Sequence, residues 1–403
     1  MPSETLLAKP LDALLVSCVA QAQNITGLQA RPHVVVSPYR FNPLGAHIDH
    51  QGGSVLARSL DQYTLLSFWP RSDALCTVHC DLNNAGWQSA TFGAADLQDE
   101  HGWDAMARAS AAAFASMHKM RHGIDAVVFG TLISGGLSSS ASVVLAYLTA
   151  LAHVNDVDLS EAELVELCRQ VENDYRGLKN GIQDQMSIVF GRQNHLVMLD
   201  VEHVAATHVA DPENVSDVAF LMCYSGVSRD LVTGSNFNQR VAECAEAAAL
   251  LSSDATHLGE VPSALRSELC LADLPAIPQR RARHVYGEMR RVEQGCLAWR
   301  DGDWPAFGKL MNESCFSSIN HYESGSPWLI DLHSMASQLE GVYGNRFSGG
   351  GYGGCLFMLV DVRHADSIAK QLRTSYTDKY PELAQRVRIN IAQSESTVRV
   401  VTP

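Results

Sequence analysis

The sequence lacks any run of about 18 uncharged apolar residues, the length a helix needs to cross a bilayer, so neither a transmembrane helix nor a membrane partner is expected. It also lacks an excess of positive charge. Thirty Lys and Arg stand against 44 Asp and Glu, a formal net charge of −14. Nucleic-acid binding draws chiefly on phosphate neutralisation, so nucleic acid is not an expected partner either. The 10 cysteines have no regular spacing, which suits reduced thiols in a cytoplasmic protein rather than a disulfide scaffold. The sequon Asn24-Ile-Thr26 then carries no meaning. No internal repeat or low-complexity tract interrupts the chain. The apolar run Leu11–Ala20 could pass for a signal-peptide core, but Glu4, Lys9 and Asp12 make a poor charged leader, and an ordinary first helix is predicted.

What is present describes a globular chain: 46% apolar and 18% charged residues over 403 positions. That length exceeds one core of ordinary size, so two domains are predicted, 1–205 and 206–403, with the boundary in the polar stretch Leu199–Ser216. The densest basic run, Arg280-Arg-Ala-Arg-His284 with Arg290 and Arg291, lies in a helical pattern beside Glu288 and Glu293 and reads as a solvated helix face. Strands are predicted at His33–Ser37, Leu75–Leu82, Ile124–Ile133 and Val218–Tyr224. Helices are predicted at Trp103–Met117, Ser138–Ala152, Ser160–Tyr175 (opening with the capping box Ser160-Glu-Ala-Glu163) and Ser334–Leu339. Gly354–Val360, His364–Thr374 and Val387–Ala392 form a βαβ-like ending. Cys76, His79 and Cys80 are metal-ligand types, but on a strand His79 points away from the two cysteines, and core packing is the expectation.

Three glycine-rich segments carry the chemistry. The first, Ser37-Pro-Tyr-Arg-Phe-Asn-Pro-Leu-Gly-Ala-His-Ile-Asp-His-Gln-Gly-Gly53, gathers Arg40, His47, Asp49 and three glycines behind a strand. The second, Gly135-Gly-Leu-Ser-Ser-Ser-Ala-Ser142, runs straight into a helix with apolar residues at Val143, Val144, Tyr147, Leu148 and Leu151. Glycines let the backbone approach a phosphate, unpaired amides at a helix N-terminus attract anions, and hydroxyls can ligate Mg2+. Alone, such a segment is equally well a serine-capped helix. No Lys follows in the register of a Walker loop, and the protein-kinase set is missing. The third segment is Gly349-Gly-Gly-Tyr-Gly-Gly354.

Three such segments in this order resemble the signatures of the GHMP small-molecule kinases, and within them the galactokinase branch, over nearly the whole chain. The resemblance implies an α+β fold of two domains, ribosomal S5 domain 2-like then ferredoxin-like, with ATP and Mg2+ as cofactors and a cleft active site. It implies that Arg40 and Asp184 are catalytic, Asp184 lying twelve residues after Glu172 in Asn180-Gly-Ile-Gln-Asp-Gln185. Ser140 and Glu172 become metal ligands. Trp103, Gly135, Gly136, Leu137, Ser138, Ser139, Ser140, Ala141 and Gly350 become the ATP site. Ala46, His47, Asp49, His50, Gly181, Arg229 and Phe237 become the sugar site. Whether Asp184 removes a proton or orients the hydroxyl stays open, and a monomer is favoured slightly.

One departure bears on the substrate. The family pattern is Gly-Glu-His-x-Asp, whereas this chain has Gly45-Ala-His-Ile-Asp49. Two like charges about 4 Å apart repel by about 4 kcal/mol at an effective dielectric near 20, roughly a thousandfold in affinity. Ala46 therefore admits a sugar acid at C6, with His47, His50 and Arg229 as expected positive groups. The block Pro43–Gly53 also resembles the galacturonokinases of plants, which implies a D-galacturonate 1-kinase. Galactokinase and a non-catalytic sugar and ATP sensor are the alternatives. Phe237 stands where the family usually has a Tyr whose hydroxyl contacts the sugar.

Overall fold

The computed structural model describes residues 6–81, 86–97, 102–131, 137–177, 180–227 and 236–403. After helix α1 (Leu11–Thr26), strand β1 (His33–Leu44) joins a sheet made with β2 (Val55–Pro70), β3 (Cys76–Cys80), β4 (Gln88–Phe92) and β5 (Ile124–Gly130). The order is β12-β1-β2-β5-β3-β4, where β12 (Arg399–Val401) comes from the far end of the chain. β6 (His195–Asp200) pairs with β2 and with β7 (Ala205–Ala210). The polar stretch expected to hold a boundary thus includes a paired strand.

Alternation along β1 separates two cores. Val34 and Val36 pack with Leu15 and Cys18 of α1, while Val35 faces the opposite layer. That layer holds α2 (Ala105–Met117), α3 (Ser139–Val154), α4 (Glu161–Arg169) and α5 (Gln183–Val189). β1 runs seven residues beyond its predicted end, with a register shift between Pro38 and Tyr39. Pro38 has no N–H for the ladder, so the strand bulges rather than stops. Arg40 is consequently a strand residue.

The second sheet contains β8 (Val218–Tyr224), β9 (Val342–Phe347), β10 (Cys355–Asp361) and β11 (Arg388–Ala392), in the order β11-β8-β10-β9 with antiparallel neighbours. Counted from β8 this is 4-1-3-2, the ferredoxin-like order. One face carries α10 (Pro327–Ala336) and α11 (Ala365–Lys379). The other joins β1 and β2: Phe41 stacks on Phe357 with centroids 4.2 Å apart and meets Phe220 edge-on at 4.7 Å. Trp299 and Phe307, from α8 (Ala276–Arg300) and α9 (Trp304–Asn320), extend this shared core. Two further helices, α6 (Phe237–Leu251) and α7 (Glu268–Ala272), pack along α8.

Several expectations hold closely. β8 has the predicted bounds, the Ser160–Glu163 capping box is formed, and α1 packs on the sheet as an ordinary helix. All 10 cysteines are free thiols, and among the described residues no helix is long and apolar enough to cross a membrane. Others need correction. The helix predicted at Ser160–Tyr175 is α-helical only to Arg169, then widens into a π-turn over Gln170–Tyr175 that carries Glu172. The helix placed at Ser334–Leu339 is Pro327–Ala336, started by its proline. The basic run on α8 is not a solvated face. Arg281 is fully buried and pairs with Glu243 and Glu323, and His284 is buried too, because α6 and the segment after α9 close over them. Arg290 alone of that run is exposed.

Candidate active site

β1 delivers Arg40 to the point where the three glycine-rich segments meet. Its main-chain N–H donates to Leu137 O at 3.2 Å, Nε donates to Asp184 Oδ1 at 3.0 Å, and NH1 donates to Ser348 Oγ at 3.1 Å. Asp184 lies in the first turn of α5, where the helix dipole favours a carboxylate. Its ion pair with Arg40 is nearly buried on the arginine side and partly open on the other, the side chains being 2% and 19% exposed. A charged acceptor is thus fixed in orientation yet reachable.

Asp49 sits beside it on a short turn. Gln183 N donates to Asp49 Oδ2 at 3.3 Å, and burial, then the nearby Asp184 charge, push Asp49 up to about 6. Gly181 makes this approach possible, since a Cβ there would lie 2.3 Å from Asp49 Oδ2. Glu172 is 4% exposed and accepts from Asn180 Nδ2 at 3.0 Å; burial, then Asp184, push it up to about 7. The Ser140 hydroxyl hydrogen-bonds to it from the first turn of α3. Ser138, the N-cap residue of α3, has φ 57 and a buried Oγ without a partner among the described residues. His47 has φ 58. Left-handed backbone at a non-glycine residue costs about 1 kcal/mol or more and gathers at functional sites.

A second cluster lies alongside. His47 stacks on Tyr322 with centroids 4.3 Å apart, and the Tyr322 hydroxyl meets His50 Nε2 at 3.0 Å. Phe237, the first residue of α6, approaches both imidazoles, at 6.3 and 5.9 Å. The expectation of positive histidines is corrected here. Burial, then His284 and Arg346, hold His47 well below its ordinary value, and burial lowers His50 to about 4. At neutral pH both rings are uncharged hydrogen-bonding groups.

The loop between these clusters is gripped from α8. Glu288 is fully buried; its Oε2 accepts from Gly45 N at 2.8 Å, Ala46 N at 3.1 Å and Ser314 Oγ at 2.9 Å, and its Oε1 accepts from Arg291 Nε at 2.7 Å. His284 Nε2 lies 2.8 Å from Ala46 O. Burial alone would raise the Glu288 pKa, but Arg291, His284 and Arg346 hold it below the ordinary range. The sequence assigns none of Glu288, His284, Tyr322 and Ser348 to the site, reading the first two only as part of a solvated helix face. A signal existed for two of them: Arg281, His284 and Glu288 repeat at the spacing of the buried stripe on α8.

The remaining sequence candidates divide three ways. Leu137, Ser138 and Ala141 are buried at the start of α3, with Ser139, Ser140 and Gly350 partly exposed. Trp103 packs, partly buried, against the core beneath α2 and α3. Gly135, Gly136 and Arg229 lie outside the described residues.

Residues 24–69 match the galactokinase galactose-binding signature, 104–192 the GHMP kinases N terminal domain, and 294–378 the GHMP kinases C terminal domain. A galacturonokinase from Arabidopsis thaliana is 34% identical over 94% of this chain and 95% of its own length. A galactokinase from Roseiflexus sp. (strain RS-1) is 31% identical, covering 86% and 88%. The Lactococcus lactis galactokinase solved with galactose superposes with a TM-score of 0.87 at 25% identity, covering 96% and 99%. The chain belongs to the GHMP kinases, in the galactokinase branch. It is an ATP-dependent sugar kinase.

Proposed function

We propose that this kinase transfers the γ-phosphoryl group of ATP to the anomeric hydroxyl of D-galacturonate, giving the 1-phosphate and ADP. The observation that carries the sugar assignment is at Ala46. A methyl group replaces the family carboxylate, on a loop whose neighbouring amides are held by Glu288. A like charge facing a C6 carboxylate at about 4 Å would cost about 4 kcal/mol; here that repulsion is missing. Neutral His47 can donate a hydrogen bond to a carboxylate, while His50, whose two ring nitrogens already meet Tyr322 and Gln51, shapes the wall, and the buried Arg346 lies close enough to depress both His47 and His284. The 34% identity to a galacturonokinase points the same way.

In this reading Arg40 counters charge on the transferring phosphoryl group, while Asp184 orients the sugar hydroxyl or takes its proton. Phosphoryl transfer asks for little more than such positioning and neutralisation. Asp49 and Gly181 hold ring hydroxyls, with Phe237 and the two imidazoles as the wall around C6. ATP takes the start of α3, its phosphates against the Leu137–Ala141 amides and hydroxyls, with Trp103 and Gly350 at its edges. Ser140 and Glu172 would hold Mg2+. Glu172 fits that role, since it is a buried carboxylate lifted to about 7 without an arginine or lysine ion pair among the described residues. The bound metal neutralises phosphate charge. Residues 1–205 supply most of these groups, and 206–403 supply Phe237 and the third glycine segment.

The test is ADP release with MgATP against D-galacturonate, D-glucuronate and D-galactose, with Asp184→Asn as the blank. Preference for galacturonate supports the assignment. Preference for galactose, which the match of residues 24–69 to a galactose-binding signature would favour, keeps the kinase and removes the sugar acid. ATP and sugar binding without ADP release would point to a sensor.

A further inference from the structure

A groove of about 610 Å³ lies between α8, α9 and α10, apart from the site described above. Arg283, Arg290 and Arg291 line it, together with His321 and His333. In a chain of net charge −14 this is a local gathering of cations. The positive field is felt at His321, which burial, then Arg283, Arg291 and Arg280, hold below its ordinary value. Two carboxylates share the lining. Glu268 pairs with Arg283, Nε to Oε2 at 3.0 Å, with its own side chain 67% exposed, and Glu313 is also open to solvent at 46%. Both face solvent, and Glu268 offsets the charge of Arg283, so the lining sets three arginines against two carboxylates. Arg290 has no ion pair among the described residues.

The groove floor is built rather than incidental. Gly287 interrupts the interior of α8 at a cost of about 1 kcal/mol relative to Ala. A Cβ there would lie 2.9 Å from an Arg291 guanidinium nitrogen, so the glycine lets Arg291 fold back along the helix. Arg291 donates from Nε to Glu288 Oε1 at 2.7 Å, while its buried NH2, though 2.7 Å from that same oxygen, makes no well-directed hydrogen bond. That nitrogen is nonetheless part of the Arg291–Glu288 ion pair.

The groove also reaches the loop that carries Ala46. Arg291 holds Glu288, whose other oxygen holds the Gly45 and Ala46 amides. Ser317, another lining residue, meets His284 Nδ1 at 2.9 Å, and His284 Nε2 meets Ala46 O. Two links of one side chain each thus connect the groove wall to position 46.

We infer that the groove binds a small phosphate monoester, such as a sugar phosphate, and that occupancy weakens sugar binding by drawing Arg291 off Glu288. The guanidinium fork suits a phosphate dianion, and the volume suits a ligand of that size. Only the second half rests on reading Gly45–Asp49 as the sugar loop. The ligand half can be tested without any turnover.

The experiment titrates inorganic phosphate, then glucose 1-phosphate, into the intact chain by calorimetry with MgADP saturating the nucleotide site, for wild type and for Arg290→Glu. This substitution alters an exposed side chain, so the fold should survive. Affinity should fall at least about tenfold in the variant. No binding to wild type, or equal binding to both, overturns the site. Inorganic phosphate binding as tightly as the sugar phosphate would support a plain phosphate site over a monoester site. In steady state, added glucose 1-phosphate should raise the wild-type sugar KM about fivefold at unchanged kcat. The Arg290→Glu enzyme, measured against its own phosphate-free baseline, should show no such rise. An unmoved wild-type KM despite binding overturns the coupling.

Discussion

Arg40 and Asp184, 144 residues apart in sequence, meet at one carboxylate oxygen: Nε donates to Asp184 Oδ1 at 3.0 Å and NH2 donates to the same atom, while Oδ2 has no hydrogen-bond partner among the described residues. An acceptor held in this way keeps its orientation when a sugar hydroxyl arrives. Asp184→Asn should therefore lower kcat by about 10²-fold or more, the range for a lost general base or orienting acceptor. ATP affinity should hold. Steady-state ADP release beside nucleotide titration checks both, and a variant with near-normal kcat would remove Asp184 from the chemistry.

Glu172 gives a pH dependence of definite sign. Its folded pKa of about 7 lies above the ordinary 4.5, so the folded chain binds the proton more tightly than the unfolded chain. Without metal, its contribution to stability declines as pH rises from about 4.5 through about 7. Mg2+ requires the ionised form, so stabilisation by the metal should grow over the same interval. Melting curves with and without Mg2+ at about pH 6 and about pH 8 read this, and Glu172→Gln should abolish the pH dependence of the metal shift. A shift equal at both pH values would place the metal elsewhere.

Ala46→Glu should reduce kcat/KM for uronic acids selectively, by up to about a thousandfold if the new carboxylate faces C6. Galactose should be spared or improved. Equal losses on acidic and neutral sugars would mean that the substitution merely overfills a buried position.

Gly181→Ala should weaken sugar binding while the chain stays folded, because the added Cβ would fall 2.3 Å from Asp49 Oδ2 and displace that carboxylate. Sugar KM and circular dichroism, measured together, separate this from unfolding. An unchanged KM would show that Asp49 does not hold the sugar.

Arg281→Met should cost about 2 kcal/mol, since it takes the buried cation from Glu243 and Glu323 while Arg240 still pairs with both and Arg280 with Glu323. Denaturant unfolding checks this as a lower midpoint at constant slope. A midpoint like the wild type's would return the α8 arginines to the status of a solvated face.

Much of this protein could be read from residues near one another in sequence. The capping box at Ser160, the buried run of β8 and the serine turn opening α3 depend on local dihedrals, caps and periodicity, all carried by a dozen residues or fewer. The three glycine-rich segments were legible for the same reason, as was the family they mark. Even β1 was recognised, though not its continuation past Pro38, because a bulge is sustained only by the partner strand.

Tertiary structure decided what burial and distant partners control. Arg281 reads as a surface charge until Glu243 and Glu323 close over it. His47 and His50 read as cations until desolvation and neighbouring positive groups strip them of charge. Glu288 has no local reason to hold Gly45 and Ala46, and β12 none to leave the second half of the chain for the first sheet. The order of motifs and the types of reactive group are properties of the sequence, whereas ionisation states and the grip on the sugar loop come from desolvation and contacts between residues hundreds of positions apart.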